Sequence, residues 1–210
     1  MIMIKAVIFD FDGTMVNSYN TVNQVHYKLL NRYRIEQLMP EDIAFMGSLT
    51  RNHRLNESTV AKSTSRLLDE AKIAYKTCIL KSPLQAGMRE LFLALLKAEI
   101  ELFIVSRNSA NIIERFLLVH DCLFFTEVYG DVTTAKKQRV LLKLLKKYHY
   151  SSDEVICVGD EINDLDACKK SKLEIVLVTW GYSHKEMLAR YQYYSVVDTV
   201  EELKSQLLKN

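Results

Sequence analysis

The sequence predicts an α/β fold in which helices cover both faces of a parallel sheet. Short apolar, β-branched runs alternate with amphipathic helical segments from Pro83 onward, and such runs are typical of strands buried on both faces. One similar run lies near residue 7, and a long tract with helical but no strand patterns separates it from the rest. We therefore expect a core domain formed by residues 1–16 and 83–210, with an all-helical domain of residues 17–82 inserted into it.

The first strand, predicted at Lys5–Phe9, directly precedes this insertion. Within the insertion, apolar residues recur at helical spacing around residues 27–33 and again over residues 58–80. The segment between them, residues 47–56, is polar and basic. The insertion is thus predicted to contain at least two helices joined by a basic loop.

After Pro83, strands and helices follow one another in alternation. The predicted strands are Glu101–Val105, Val128–Tyr129, Val155–Val158 and Ile175–Val178, and the predicted helices are Met88–Ala98, one capped by Ser109, Ala135–Tyr148 and Glu161–Ser171. Capping-box sequences at Ser183 and Thr199 predict two further short helices. Parallel strands place their carboxyl ends at one edge of the sheet, where ligands bind in such folds.

Charge and composition exclude several classes of protein. A formal net charge of +2 does not predict an extended nucleic-acid-binding surface. The apolar start of the chain is too short to span a membrane, and no other long uncharged apolar run follows. The four cysteines lack C-x-x-C spacing and the five histidines lack zinc-site spacing, so we expect reduced thiols in a cytoplasmic protein.

Two carboxylates, Asp10 and Asp12, follow the first strand and precede Gly13. In an extended strand, side chains at i and i+2 leave on the same face, so the strand end would bring two acids into one small volume. Like charges this close resist joint ionisation unless a cation lies between them or one acid keeps its proton. This arrangement indicates chemistry rather than packing.

Two other strand ends carry polar groups. Ser106, Arg107 and Asn108 follow the second strand, and the segment Gly159–Asp164 follows the Val155–Val158 strand. Lys136 and Lys137 lie at the start of a helix. A carboxylate nucleophile, a general acid, oxygen ligands for a metal and cationic donors are the parts that phosphoryl transfer requires.

These motifs, in this order, resemble the haloacid dehalogenase superfamily of phosphotransferases, whose fold is a Rossmann-like sheet. The resemblance, which spans nearly the whole chain, implies Mg²⁺ as cofactor and a role for each matching residue. The implied roles are nucleophile (Asp10), general acid/base (Asp12), phosphate binding (Ser106 and Lys136 or Lys137) and metal binding (Asp10, Asp12 through its backbone carbonyl, Asp160 and Asp164). We also predict that Arg107 and Asn108 bind phosphate, although Arg107 stands where Ser, Thr or Gly is frequent in the family. Between the two lysines we favour Lys136, because it lies nearer the predicted helix start.

The resemblance also suggests a substrate. The second aspartate favours phosphate esters over dehalogenation, and the helical insertion resembles a cap that admits small soluble metabolites. The sequence Val178-Thr179-Trp180-Gly181-Tyr182 resembles phosphoglycolate phosphatases, and Arg51 and Arg54 of the cap are candidate ligands for a substrate carboxylate. We expect a monomer or homodimer.

Alternatives remain open on the same scaffold. They are a sugar-phosphate mutase, a phosphonate hydrolase that forms an imine with a cap lysine, and a binding or regulatory protein without turnover.

Overall fold

The computed structural model of the chain describes residues 3–33, 70, 73–183 and 195–208. The chain divides into two compact units, one formed by Met1–Asn17 with Pro83–Asn210 and the other by Ser18–Ser82. No helix among the described residues is long and apolar enough to cross a membrane.

The first unit contains one six-stranded parallel sheet. Its strands are β1 (Ala6–Phe9), β2 (Glu101–Val105), β3 (Glu127–Tyr129), β4 (Val155–Gly159), β5 (Glu174–Val178) and β6 (Ser195–Val197). Their order across the sheet is β3-β2-β1-β4-β5-β6. The chain therefore moves outward in one direction from β1 and in the other from β4. This reversal makes the carboxyl ends of β1 and β4 the expected ligand-binding point of the sheet.

Among the described residues of this unit, five helices connect or follow the strands, and they are numbered after α1 (Tyr19–Tyr33) of the second unit. They are α2 (Met88–Lys97), α3 (Ala110–Val119), α4 (Thr134–Tyr148), α5 (Ile162–Ser171) and α6 (Val200–Leu207). A short 3₁₀ helix, Ser152–Glu154, leads into β4.

The core lies on both faces of the sheet, and every residue of the central strand β1 is buried in it. On one face, Ile8 belongs to a cluster that includes Leu141 and Leu144 of α4 and Leu165 of α5. On the opposite face, the Phe9 ring meets Phe92 of α2 edge-on at 5.4 Å between centroids. Burial on two faces explains why β1 is almost uniformly apolar.

The predicted fold class is confirmed, and most strand bounds agree within one or two residues. The structure adds β6, a three-residue edge strand that was not predicted. It shows Glu161 as the N-cap of α5, not as its first helical residue. Thr199 caps α6 as predicted, since its side chain accepts a hydrogen bond from Glu202 N at 3.2 Å, but the Glu202 carboxylate accepts from the backbone N–H of Asp198 and not of Thr199. The box predicted at Ser183 extends beyond the described residues.

The second unit is described in part. It contains α1 (Tyr19–Tyr33) and a helical segment at residues 73–79. Arg32 of α1 forms an ion pair with Glu70 at 3.3 Å, and the Thr21 and Ser82 hydroxyls hydrogen-bond at the two ends of the unit. Helical structure at these positions agrees with the sequence pattern.

Candidate active site

Three neighbouring strands deliver polar residues to one edge of the sheet. Phe9 of β1 pairs with Ile104 of β2 and with Val158 of β4, so Asp10, Ser106 and Asp160 follow at nearly the same level. The backbone N–H of Asp10 donates to Val158 O at 2.9 Å, which extends the ladder to the first acid. The topology thus assembles residues that are far apart in the sequence.

An acidic cluster lies at this edge. Asp10, Asp160 and Asp164 each offer a carboxylate oxygen, and these oxygens all lie within 4.8 Å of one another. Lys137 Nζ donates to Asp10 Oδ1 at 2.8 Å and to Asp164 Oδ1 at 2.5 Å. The Asp12 side chain does not belong to this cluster, because β1 ends at Phe9 and the spacing of an extended strand does not continue to residue 12.

The lysine at the site is Lys137, and our choice of Lys136 was wrong on this point. Lys136 is exposed, whereas Lys137 is buried in the same stripe of α4 as Leu141, Leu144 and Leu145. Residues i, i+4, i+7 and i+8 share one face of a helix. The helical period therefore already indicated Lys137, and nearness to the helix start was the weaker criterion.

The clustered charges shift the pKa values of the acids. Burial raises the pKa of Asp10 to about 7, with a further rise from Asp164, although Lys137 opposes the shift. Burial and the neighbouring Asp164 and Asp10 also hold the pKa of Asp160 well above its ordinary value. Burial alone would lower the pKa of Lys137, but Asp10 and Asp164 raise it, so the ammonium stays charged.

The donor set fits a hard divalent cation. Three carboxylates share one small space, and the ammonium of Lys137 does not balance their combined charge. Mg²⁺ binds carboxylate oxygens and retains water molecules, so it needs few protein ligands. The pKa values of Asp10 and Asp160 are both raised, first by burial and then by the neighbouring Asp164, so a bound cation would favour the charged form of each acid.

Asp160 is held on both of its oxygens. Thr14 Oγ1 donates to Oδ1 at 2.7 Å, and the backbone N–H of Tyr182 donates to Oδ2 at 2.7 Å. Thr14 is fixed in turn by the indole of Trp180, whose Nε1 donates to its carbonyl oxygen at 3.0 Å. The loop after β5 therefore orients a candidate metal ligand.

Glycine is required where this loop meets Asp160. A Cβ atom on Gly181 would lie 2.2 Å from Asp160 Oδ2, and one on Gly13 would lie 2.4 Å from the same atom. Gly13 also has a φ of +74°, in the left-handed region that favours glycine. The sequence did not predict that Thr14 and Tyr182 contact Asp160 or that Trp180 contacts Thr14.

Asp164 is positioned by the start of α5. Its Oδ2 accepts a hydrogen bond from the backbone N–H of Glu161 at 3.1 Å, and the Glu161 side chain accepts from the Asp164 backbone in return. This reciprocal capping box fixes the first turn of the helix. Gly159 allows the close approach, because a Cβ there would lie 2.6 Å from Asp164 Oδ2.

The loop after β2 connects the predicted phosphate-binding residues to Asp12. The buried Ser106 hydroxyl accepts from the backbone N–H of Asn108 at 3.2 Å, and Asn108 Nδ2 donates to Asp12 Oδ2 at 3.2 Å. Arg107 forms an ion pair with Glu161, with 2.6 Å between Nη2 and Oε1. The predicted cap residues Arg51 and Arg54 lie outside the described residues.

Comparison with known proteins identifies the family. The model of the haloacid dehalogenase-like hydrolases matches residues 7–178, from within β1 to the end of β5. The chain belongs to this family. The predicted resemblance is thereby confirmed, and the matched range includes the whole acidic cluster.

Relatives and solved structures agree with this assignment. A phosphoglycolate phosphatase of Synechococcus elongatus is 27% identical over 186 residues, which cover 88% of each chain. A pyrophosphatase of Listeria innocua is 25% identical over 207 residues, covering 95% of this chain and 94% of the relative. The crystal structure of a candidate phosphoglycolate phosphatase from Lactobacillus delbrueckii subspecies bulgaricus superposes with a TM-score of 0.82 at 19% identity, over 99% of this chain and 100% of the other.

Proposed function

We propose that this haloacid dehalogenase-like hydrolase is a magnesium-dependent phosphomonoesterase that acts through an aspartyl-phosphate. The observation that carries the proposal is the position of Asp10. Its carboxylate lies at the strand end where ligands are expected, hydrogen-bonded to a buried lysine and clustered with two further acids. A nucleophile, a cation and metal ligands in one place match the needs of phosphoryl transfer.

In the first step, a carboxylate oxygen of Asp10 attacks phosphorus while the bond to the leaving oxygen breaks. Asp12 gives its proton to that oxygen, and the alcohol departs. Asp12 then takes a proton from water as the water oxygen attacks phosphorus, which releases phosphate and restores Asp10. Lys137 and the Ser106 hydroxyl donate hydrogen bonds to the non-bridging oxygens, where charge develops.

Asp10, Asp160 and Asp164 are the residues that would hold Mg²⁺, with the backbone carbonyl of Asp12 as a further ligand. When bound, the ion would supply positive charge to the phosphoryl oxygens and screen the acids from one another. Lys137 holds Asp10 and Asp164 in place, and the Thr14 hydroxyl and Tyr182 backbone fix Asp160. The protein thus orients all three acids, two of them through the same lysine.

The proposed substrate is a small phosphate ester, with phosphoglycolate the first candidate. The names of several curated relatives and the Trp180-Gly181-Tyr182 sequence support this choice. We propose further that the unit of residues 18–82 is a cap that selects small substrates, and that the protein acts in the cytoplasm. Its assembly as a monomer or homodimer remains a prediction.

Phosphate release from a panel of esters, measured with and without Mg²⁺, tests the proposal. We expect activity that depends on Mg²⁺ and is abolished in Asp10→Asn with the circular dichroism spectrum retained. Asp12→Ala should lose roughly 100- to 10,000-fold in rate. A fully active Asp10→Asn variant would refute the assignment of the nucleophile.

The three alternative functions predict different results in comparable activity assays. A phosphonate hydrolase would be inactivated by borohydride in the presence of a phosphonoaldehyde, because its lysine imine would be reduced. A mutase would convert one sugar phosphate into its isomer with little release of phosphate. A binding protein would retain Mg²⁺ and phosphate esters without turnover.

A further inference from the structure

Arg107 and Glu161 form an ion pair across the end of β1. Arg107 follows β2 and Glu161 follows β4, and β1 lies between these two strands. The Nη2–Oε1 distance of 2.6 Å shows that the arginine side chain reaches over the strand end that carries Asp10. The pair therefore forms part of the boundary of the proposed active site.

The guanidinium lies within the electric field of the acidic cluster. Burial would lower the pKa of Arg107, but Glu161, Asp10 and Asp164 raise it, so its charge is permanent. The ion pair across the end of β1 keeps the guanidinium near Asp10, the proposed nucleophile. A substrate whose phosphoryl group binds at Asp10 would thus have a cation nearby.

Arg107 differs from Lys137 in access to solvent. The Lys137 side chain is 8% exposed and engaged by two carboxylates, whereas the Arg107 side chain is 34% exposed. Within the described residues, its guanidinium hydrogen-bonds to Glu161 through Nη2, and a guanidinium carries five N–H donors in a planar fork. Arg107 can therefore reach a ligand from the solvent side.

Glu161 is the fixed partner of this pair. Its side chain takes part in the capping box of α5 and accepts from Asn163 Nδ2 at 3.4 Å. The helix thus holds the glutamate, while Arg107 is the long and flexible member. A ligand anion that arrives beside the pair would share or replace Glu161 as the acceptor for Arg107.

We infer that Arg107 determines specificity by binding a second anionic group of the substrate, one bonded close to the transferred phosphoryl group. The inference rests on the proposed function and names its substrate class as phosphate compounds with a neighbouring carboxylate or phosphate. Arginine forks match both groups bidentately. Two relatives are named as a phosphoglycolate phosphatase and a pyrophosphatase, and both of these substrates belong to this class.

The test compares Arg107→Met with Arg89→Met on three substrates in the presence of Mg²⁺. Arg89 is a surface arginine that pairs with Asp121 outside the site, so it controls for loss of a charged surface pair. The substrates are phosphoglycolate, pyrophosphate and p-nitrophenyl phosphate, whose leaving group lacks a second anion. Arg107→Lys is the conservative variant. It keeps the positive charge but loses the planar fork, and it replaces the methionine variant in the test if that variant does not fold.

We expect Arg107→Met to lose roughly 10–100-fold in kcat/KM for phosphoglycolate, pyrophosphate or both, mainly through KM, as for the loss of a hydrogen bond to a charged group. Activity on p-nitrophenyl phosphate should also fall, because Arg107 is a predicted phosphate-binding residue, but by roughly tenfold less than on the affected anionic substrate, since only that substrate also loses the contact with its second anion. Arg107→Lys should recover part of the loss. A loss confined to one of the two anionic substrates would support the inference and identify the group that Arg107 binds.

Equal losses on all three substrates, or no loss on any, would overturn the inference. A wild-type protein inactive on p-nitrophenyl phosphate and on both other substrates would instead overturn the proposed function, and the inference with it. p-Nitrophenyl phosphate, which carries no anionic group besides its phosphoryl group, therefore separates failure of the inference from failure of the proposed function.

Discussion

Replacing Lys137 by methionine should both destabilise the protein and remove most of its activity. Methionine keeps the length and much of the apolar stem of lysine but removes the ammonium that bonds Asp10 and Asp164. Removing one partner of a buried ion pair typically costs about 3–5 kcal/mol, because the remaining charge is left uncompensated. For a chain of this size, that corresponds to a Tm lower by roughly 6–20 °C.

The loss of activity has a separate cause. Lys137 is proposed to donate to the phosphoryl oxygens in the transition state, and removing one such donor typically lowers kcat by about 10²–10³-fold. Thermal unfolding followed by circular dichroism in EDTA gives the change in stability. Phosphate release in Mg²⁺, measured well below the Tm of the variant, gives the change in kcat.

Lys136→Met is the matched control, since it removes the same charge from the exposed neighbour in the same helix turn. It should leave Tm and kcat almost unchanged. If Lys136→Met lost activity and Lys137→Met did not, the positions of the two side chains, and the reasoning from the buried stripe of α4, would be wrong.

Two further substitutions test the surroundings of the site and the distant sheet edge. Gly181→Ala places a Cβ atom 2.2 Å from Asp160 Oδ2, so Mg²⁺ affinity measured by calorimetry should fall roughly 10–100-fold. Gly87→Ala controls for a general loss of stability: its φ of +82° makes alanine strained, but its Cβ would meet Val200 and not the site, so that affinity should be unchanged. Glu127 is partly buried, which raises its pKa, but hydrogen bonds from Lys147, Tyr129 and Tyr148 hold it below the ordinary value of 4.5. A carboxyl with a lowered pKa stabilises the fold at pH values above its ordinary pKa. Glu127→Gln should therefore lower the free energy of unfolding in urea by about 1–3 kcal/mol at pH 7. The difference from wild type should vanish as the pH falls through the lowered pKa. A constant difference down to pH 3 would contradict that account.

Local patterns were sufficient to predict the central sheet. The β1, β2, β4 and β5 segments are apolar because both of their faces are buried. Such apolar runs can be recognised in the sequence without knowing which strands pair with them. The edge strand β6 has three residues, two of them half-buried, so its pattern is too short to distinguish from a loop. Its strand conformation comes from pairing with β5, which sequence periodicity does not report.

The site was predictable in its residue types and less so in its contacts. Lys137 lies in the same helical stripe as Leu141 and Leu144, and this period favours it over Lys136 from the sequence alone. By contrast, the indole of Trp180 contacts a carbonyl oxygen 166 positions earlier, in Thr14. A contact of this kind depends on the loop after β5 meeting the loop after β1, and the sheet order that brings them together is a tertiary property.

The most direct test of the central claim is to trap the covalent intermediate on Asp10. The enzyme is quenched in acid during turnover of a phosphate ester, treated with borohydride, digested and analysed by mass spectrometry of its peptides. Borohydride reduces an acyl phosphate to the alcohol, so the account predicts homoserine in place of aspartate at position 10, dependent on both substrate and Mg²⁺. Reduction at another acid, or an unmodified Asp10 in enzyme that is turning over, would contradict it.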